Sequence, residues 1–213
     1  MVGIEYCEKA AFSGFFEPLN FLSNFFIIIA GIFILLYMRK HKINDWVSRV
    51  FVVLVFLIGI GSMSWHFYQI GITLFLDIFP IFILVFMTIF IALNQITNNK
   101  IVSSLVLIIT FALVGIFGRL FMVLFGVSQS NGPPFLGIIP ALLFLLIFIY
   151  VKSREKFKRA IFVVLFFGIA IFFRQIDLIV CNYIPFGTHL LWHFFNSFAL
   201  YFMFLWIREK KVR

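Results

Sequence analysis

Residues 50–69 have the sequence VFVVLVFLIGIGSMSWHFYQ, which contains no Asp, Glu, Lys or Arg. A helix that crosses a bilayer needs ~20 mostly apolar residues, so this stretch predicts a membrane span. The whole chain has the same character: its 213 residues are 64% apolar and 12% charged, with 34 phenylalanines and a mean hydropathy of +1.16. Soluble domains are ~45–50% apolar and ~25% charged. The composition therefore excludes a soluble globule, a disordered chain and a disulfide-dense secreted domain.

The distribution of apolar segments predicts an all-α integral membrane protein, a single domain (1–213) built as a seven-transmembrane helix bundle. Helices are expected because lipid offers backbone groups no hydrogen-bond partner, and the segments lack the strict alternation of barrel strands. Residues 1–19 contain no recognisable cleavable signal peptide, so we expect the first span to be an uncleaved anchor. The spans are expected at about 20–38, 50–69, 71–93, 101–125, 135–151, 160–177 and 188–207.

The basic residues predict the orientation of the bundle. Fourteen of the 17 lysines and arginines lie in the 1–2, 3–4 and 5–6 connections and in the C-terminal tail. Cytoplasmic loops carry such an excess of Lys and Arg. We therefore expect the N-terminus outside and the C-terminus in the cytoplasm. The net charge of +9 is then a topology signal, and it indicates neither a nucleic-acid partner nor a soluble protein partner.

Three histidines are expected at one membrane depth. His66 ends the second span, and His189 and His193 begin the seventh. The i,i+4 spacing of the last two places them on one helix face. Three imidazoles with a fourth position open for water are typical of catalytic zinc, whereas nitrogen ligands do not suit magnesium. The alternatives are interfacial aromatics bonded to the backbone and a bis-histidine haem site; the matching depth of all three favours a metal.

Two further polar residues lie near this depth. Ser62 precedes His66 by four residues and shares its face, although a serine there also fits a bond to its own helix backbone. Asp77 follows His66 by eleven residues, across a tight turn. A carboxylate at membrane depth is costly and is either paired or functional. Arg119 and Arg174 are its candidate partners if it is paired.

The N-terminal segment is acidic: Glu5, Glu8 and Glu17 are three of the chain's eight acids. Clustered carboxylates with backbone carbonyls are hard oxygen ligands that suit calcium. The alternative is a solvated acidic tail.

The two cysteines, Cys7 and Cys181, are both predicted to lie outside, on the side where disulfides persist. A bridge between them and a pair of free thiols are both compatible with the sequence.

Taken together, these motifs resemble the alkaline ceramidase family, part of a superfamily of seven-span hydrolase-like proteins that also includes the progestin and adipoQ receptors. The matching pieces follow the family order over nearly the whole chain. They are Tyr6-Cys7-Glu8, Glu17-x-x-Asn20-x-x-Ser23-Asn24, Ser62-x-x-x-His66 with Asp77 eleven residues on, Arg174-x-x-Asp177-x-x-x-Cys181, and His189-x-x-x-His193.

The resemblance implies that His66, His189 and His193 bind zinc, that Ser62 stabilises an oxyanion and that Asp77 transfers protons. The implied reaction is hydrolysis of the N-acyl bond of ceramide or a related lipid amide to a fatty acid and a sphingoid-type amine. The reverse N-acylation would use the same site. Two other functions stay open: a receptor-like member that binds zinc without turnover, and a channel or transporter with a polar path.

The resemblance also implies a calcium site and a disulfide. The calcium ligands would be Glu5, Glu8 and Glu17 with main-chain carbonyls near Tyr6 and Ala10, and Cys7 would pair with Cys181. Animal members have Asp, Trp and Asn where this chain has Glu5, Tyr6 and Ala10, and an alanine can offer calcium only its main-chain carbonyl. Short loops and abundant Phe and Ile predict a bacterial inner membrane, with the metal site toward its outer face and a membrane lipid as the substrate.

Overall fold

The computed structural model describes residues 6–12, 16–125 and 138–208, and the regular structure within these ranges is helical. A 3-10 turn, Asp177–Ile179, lies between the last two helices. The α-helices in these ranges are α1 (Cys7–Phe12), α2 (Pro18–Ser23), α3 (Phe25–Lys40), α4 (Trp46–Tyr68), α5 (Gly71–Thr97), α6 (Lys100–Phe125), α7 (Ile138–Lys152), α8 (Arg154–Ile176) and α9 (His189–Arg208).

Six helical segments in the described part of the chain are long and apolar enough to cross a membrane. They confirm a multi-pass, all-helical membrane protein and correspond to six of the seven predicted spans. The predicted fifth span, 135–151, is represented by α7, which has 15 residues. At 1.5 Å per residue it is about 22 Å long, short of the ~30 Å hydrocarbon core. Residues 126–137, before it, lie outside the described ranges.

Two helices begin earlier than the apolar pattern predicts because polar residues cap them. α4 begins at Trp46 and not near residue 50, since the Asp45 carboxylate accepts a hydrogen bond from the backbone N–H of Ser48 at 3.1 Å. α8 begins at Arg154 and not at residue 160. The Ser153 hydroxyl, directly before this helix, accepts a hydrogen bond from the backbone N–H of Lys156 at 3.4 Å. Such capping residues satisfy the free N–H groups of a helix's first turn. In both helices this turn is too polar for hydropathy to identify it as part of a membrane span.

Helix α3 packs against α4 and α9, while α4 also packs against α5 and α8 against α9. Between lipid-embedded helices, close van der Waals packing supplies the attraction. Phe51 and Phe204 meet edge to face in the core, with ring centroids 5.3 Å apart. Gly59 allows α4 to approach α3, since a Cβ there would lie 2.6 Å from Ile28 Cδ1. Exposed Phe and Ile side chains cover the outer faces, as expected for surfaces in contact with lipid.

The two ends of the bundle differ in chemistry. At one end, the Arg208 guanidinium pairs with the Asp45 carboxylate at 2.7 Å, and the buried Lys156 ammonium donates to the Gln95 amide oxygen at 2.8 Å. At the other end, the C-terminal turn of α4 meets the N-terminal turn of α9, and α2 packs against both helices. His66, His189 and His193 lie at this second end.

Candidate metal centre and active site

His66 from α4 meets His189 and His193 from α9 in the protein interior. All three are at most 3% exposed. The ring centroids lie 5.2 Å (His66–His189), 5.1 Å (His66–His193) and 4.6 Å (His189–His193) apart. One potential ligand atom from each residue lies within 4.8 Å of the others. The structure therefore brings together the three histidines that the sequence singled out.

His66 is oriented by an acid from the start of the first span. Its Nδ1 lies 2.6 Å from Oε2 of Glu17, and both side chains are 1% exposed. Burial raises the pKa of Glu17 to about 7, because the charged carboxylate loses its water. Nε2, the other ring nitrogen of His66, is buried without a protein partner.

His193 is oriented by a serine. The Ser23 hydroxyl donates to the backbone carbonyl of Asn20 at 2.8 Å and lies 2.7 Å from Nδ1 of His193. Because its only proton is directed to Asn20, the hydroxyl oxygen accepts from Nδ1–H of the imidazole. The lone pair of His193 is then on Nε2, which lies 3.5 Å from the Ser62 hydroxyl.

His189 is held through its backbone and by a ring contact. Its N–H donates to Oδ1 of Asp177 at 2.8 Å. The Tyr6 ring lies against its imidazole, with centroids 4.1 Å apart and the ring planes tilted by 33°, and the Arg174 guanidinium lies 4.5 Å from the Tyr6 ring centre. Nδ1 of His189 is buried without a hydrogen-bond partner.

These residues fit a bound metal ion. Buried polar atoms are normally hydrogen-bonded, yet His66 and His189 each leave a buried ring nitrogen without a hydrogen-bond partner. Three neutral imidazoles are a common ligand set for zinc that leaves a fourth position open. Partners on the other ring nitrogen, such as Glu17 and Ser23, are typical supports of histidine ligands.

Ser62 and Asp77 meet beside the cluster. The carboxylate of Asp77 contacts the Ser62 hydroxyl, which is buried, and Asp77 is half-buried. The two helices approach closely here: a Cβ added at Gly61 would overlap the carbonyl of Leu76 and lie 3.1 Å from the backbone nitrogen of Asp77. Of the two candidate partners of Asp77, Arg119 is exposed. Arg174 lies over the Tyr6 ring, and its charge also acts on Asp77.

The predicted calcium ligands make contacts of their own within the protein. Glu8 accepts from the backbone N–H groups of Leu19 and Asn20 at 2.5 and 2.8 Å, and burial raises its pKa. Glu17 contacts His66. Ala10 lies in α1, and Glu5 is outside the described residues. Calcium binding stays a prediction.

Cys7 and Cys181 form a disulfide, with Cα atoms 5.2 Å apart. The backbone N–H of Cys7 also donates to the Asp177 carboxylate at 3.1 Å. The bridge thus attaches the N-terminal segment, and with it Tyr6, to the loop before α9.

No role was predicted for Ser23 or Asp177 from the sequence, although Ser23 contacts His193 and Asp177 contacts His189. A local signal exists for the first. Glu17, Asn20 and Ser23 recur every three residues at the start of an apolar span, and all three are buried, so they form a polar stripe on one helix face. For Asp177 the signal is weaker: it is an acid directly before the loop that leads into the His189 helix.

A family model described as ceramidase matches residues 3–212, nearly the whole chain. No curated protein matches the sequence. The match agrees with the all-helical membrane fold and with a buried three-histidine cluster that can hold a metal ion. The chain belongs to the ceramidase family, hydrolases that act on the amide bond of ceramide.

Proposed function

We propose that the protein is a zinc-dependent intramembrane amidase, which hydrolyses the N-acyl bond of ceramide or a related lipid amide. The observation that carries this proposal is the buried His66, His189 and His193 cluster, with ring nitrogens that have no protein partner. A bound zinc ion supplies a Lewis acid and lowers the pKa of a water molecule toward ~7. The protein's own side chains carry out the remaining steps, which are oxyanion stabilisation and proton transfer.

Ser62 is the proposed oxyanion donor. Its hydroxyl lies between Nε2 of His193, at 3.5 Å, and the Asp77 carboxylate. When water adds to the amide carbonyl, the hydroxyl can donate to the oxygen that becomes negative. Removing one such donor costs about 3 kcal/mol of transition-state stabilisation in enzymes where it has been measured.

Asp77 is the proposed proton carrier. Its carboxylate accepts a proton from the attacking water and delivers it to the amide nitrogen as the C–N bond breaks. Such a group must lie within hydrogen-bonding reach of both reacting atoms, and the contact of Asp77 with Ser62 supports this role. The products are a fatty acid and a long-chain amine, so the atoms of amide and water are accounted for.

The proposed setting is the outer leaflet, with the N-terminus outside and the C-terminus in the cytoplasm of a bacterial inner membrane. The basic connections support this orientation, and the histidine site lies at the end of the bundle that holds the N-terminal segment. A green fluorescent protein fused after residue 213 should fluoresce, because it folds in the cytoplasm. A dark fusion that is nevertheless full-length would contradict this orientation.

Elemental analysis tests the function most directly. The protein purified in mild detergent should hold about one zinc ion per chain and should release fatty acid from ceramide. The double variant His189→Ala/His193→Ala should lose both. A folded wild-type protein that binds no zinc even after supplementation would overturn the proposal.

A further inference from the structure

Arg174, near the end of α8, is a buried cation beside the histidine site. The residue is 6% exposed, and its guanidinium lies 4.5 Å from the centre of the Tyr6 ring. The same ring contacts the imidazole of His189, with centroids 4.1 Å apart. The charge of Arg174 also acts on Asp77 and Glu17. The guanidinium is therefore part of the surroundings of the site, although the proposed reaction assigns it no role.

The N–H groups of this guanidinium have no oxygen partner within the described part of the chain. The Tyr6 ring face attracts the positive charge, but it offers no oxygen to the five N–H donors of an arginine. Lys156, which is buried to a similar degree, instead donates to the Gln95 amide oxygen at 2.8 Å and the Trp206 carbonyl at 3.2 Å. Because arginine is almost never buried without a partner, Arg174 is set up to bind an acceptor that the protein itself does not supply.

The acidic side chains described around the site contact other groups. Glu8 and Asp177 accept hydrogen bonds from backbone N–H groups. Glu17 contacts an imidazole and two side-chain amides, and Asp77 contacts a serine hydroxyl. Their negative charges offset that of Arg174 from a distance and leave its N–H groups available to a ligand.

We infer that Arg174 binds a negatively charged group of the substrate, a carboxylate or a phosphate on the amine portion of the lipid amide. The inference rests on the proposed function and narrows its substrate class. A planar guanidinium binds either anion through two parallel hydrogen bonds. The acyl portion of a lipid amide is hydrocarbon, so the charge belongs to the amine portion. Ceramide itself is neutral and would leave the buried guanidinium without such a partner.

Substrates that differ in charge test this inference on the wild-type protein. The acidic amides are N-dodecanoylglycine and N-dodecanoyl phosphoethanolamine, and the neutral amide is N-dodecanoylethanolamine. For the zinc-loaded protein in neutral detergent, kcat/KM should be about 10–100-fold higher for at least one acidic amide than for the neutral one, as expected for hydrogen bonds to a charged group. Equal values for all three amides would overturn the inference, and so would a preference for the neutral amide.

Variants of Arg174 show whether the guanidinium is the cause of the preference. Arg174→Gln should lower kcat/KM for the preferred acidic amide by about 10–100-fold and leave the value for the neutral amide and the zinc content near wild type. Arg174→Lys keeps the charge but cannot form two parallel hydrogen bonds, so it should keep only part of the preference. The matched control is Arg119→Gln, which removes an exposed arginine of α6 and should keep the full preference.

A purely structural role gives a different result. If Arg174→Gln lowers kcat/KM equally for acidic and neutral amides, the arginine only stabilises the site and the inference is wrong. It is also wrong if the preference persists while inhibition by dodecanoate weakens, because Arg174 then binds the carboxylate of the released fatty acid. If Arg174→Gln does not fold, a wild-type preference in Arg174→Lys overturns the two-bond contact. Each of these failures leaves amide hydrolysis intact, whereas failure of the proposed function would abolish it for every substrate.

Discussion

The carboxylate of Asp177 accepts a hydrogen bond from the backbone N–H of His189 at 2.8 Å. The same oxygen accepts from the N–H of Thr188 at 2.7 Å, and the other oxygen accepts from Cys7 at 3.1 Å. The first N–H groups of a helix have no intrahelical partner, and a negative charge there also suits the helix dipole. One buried acid thus fixes the first turn of α9, the N-terminal segment and a histidine of the site.

We expect Asp177→Asn to destabilise the protein and weaken its metal site. The amide offers one acceptor oxygen, and its NH₂ group would face a backbone N–H. A buried donor without an acceptor costs about 1–3 kcal/mol, so thermal unfolding should shift to lower temperature. Zinc content after dialysis should fall, because the start of the His189 helix is loosened.

Asp45→Asn is the control for Asp177→Asn, because Asp45 caps α4 at the opposite end of the bundle. Asparagine caps a helix about as well as aspartate, so this variant should lose at most about 1 kcal/mol of stability, through its ion pair with Arg208, and should leave zinc content unchanged. If the two variants retain zinc equally, Asp177 is a helix cap without influence on the site.

Gly61→Ala should separate Ser62 from Asp77. The added Cβ would overlap the Leu76 carbonyl, and backbone cannot rotate away as a side chain can. Overpacking of this kind costs about 1–3 kcal/mol, and α4 and α5 must move apart. We expect hydrolysis of ceramide to fall at least tenfold while zinc content is retained.

Gly115→Ala is the matched control for Gly61→Ala, since a Cβ at this position in α6 meets nothing within 4 Å. Alanine is favoured over glycine in a helix by about 1 kcal/mol, so this variant should be at least as stable as the wild-type protein and equally active. Full activity in Gly61→Ala would show that the close approach of α4 and α5 is not needed for the reaction.

Calcium dependence can be measured with zinc held constant. If calcium binds the acidic N-terminal segment, activity should rise on calcium addition, and Glu8→Gln should weaken that rise because one oxygen ligand loses its charge. Glu155→Gln is a suitable control, since Glu155 is exposed and pairs with Lys158. Equal activity in calcium-supplemented and calcium-depleted buffer would contradict a role for calcium in the activity of this protein.

The fold was predictable where hydropathy alone determines it. Apolar runs locate the spans, because every membrane-spanning helix needs about the same length of apolar side chains. The helix starts at Trp46 and Arg154 were missed, since they depend on the capping side chains of Asp45 and Ser153. The first turn of a helix that lies in water is polar, so hydropathy does not show that the helix has already begun there.

The site was predictable only in part. The three histidines stand out because two share an i,i+4 face and the third lies at a matching depth. The groups that orient them do not, since each contact joins distant segments: Glu17 and His66 are separated by 49 positions, and Ser23 and His193 by 170. Such contacts follow from tertiary packing, and local spacing indicates only that the acid and the serine share a polar helix face.

Asp77→Asn tests whether proton transfer depends on this carboxylate. An amide can still accept a hydrogen bond from Ser62 but cannot take up a proton, and general acid–base groups contribute 10²–10⁴-fold to rate. We therefore expect kcat for ceramide hydrolysis to fall by about that factor while zinc content and thermal stability stay near wild type. Ser62→Ala should also lower kcat without loss of zinc, by about 100-fold. If Asp77→Asn turns over at the wild-type rate, Asp77 only joins α5 to α4, and the proton must be carried by another group beside the histidines.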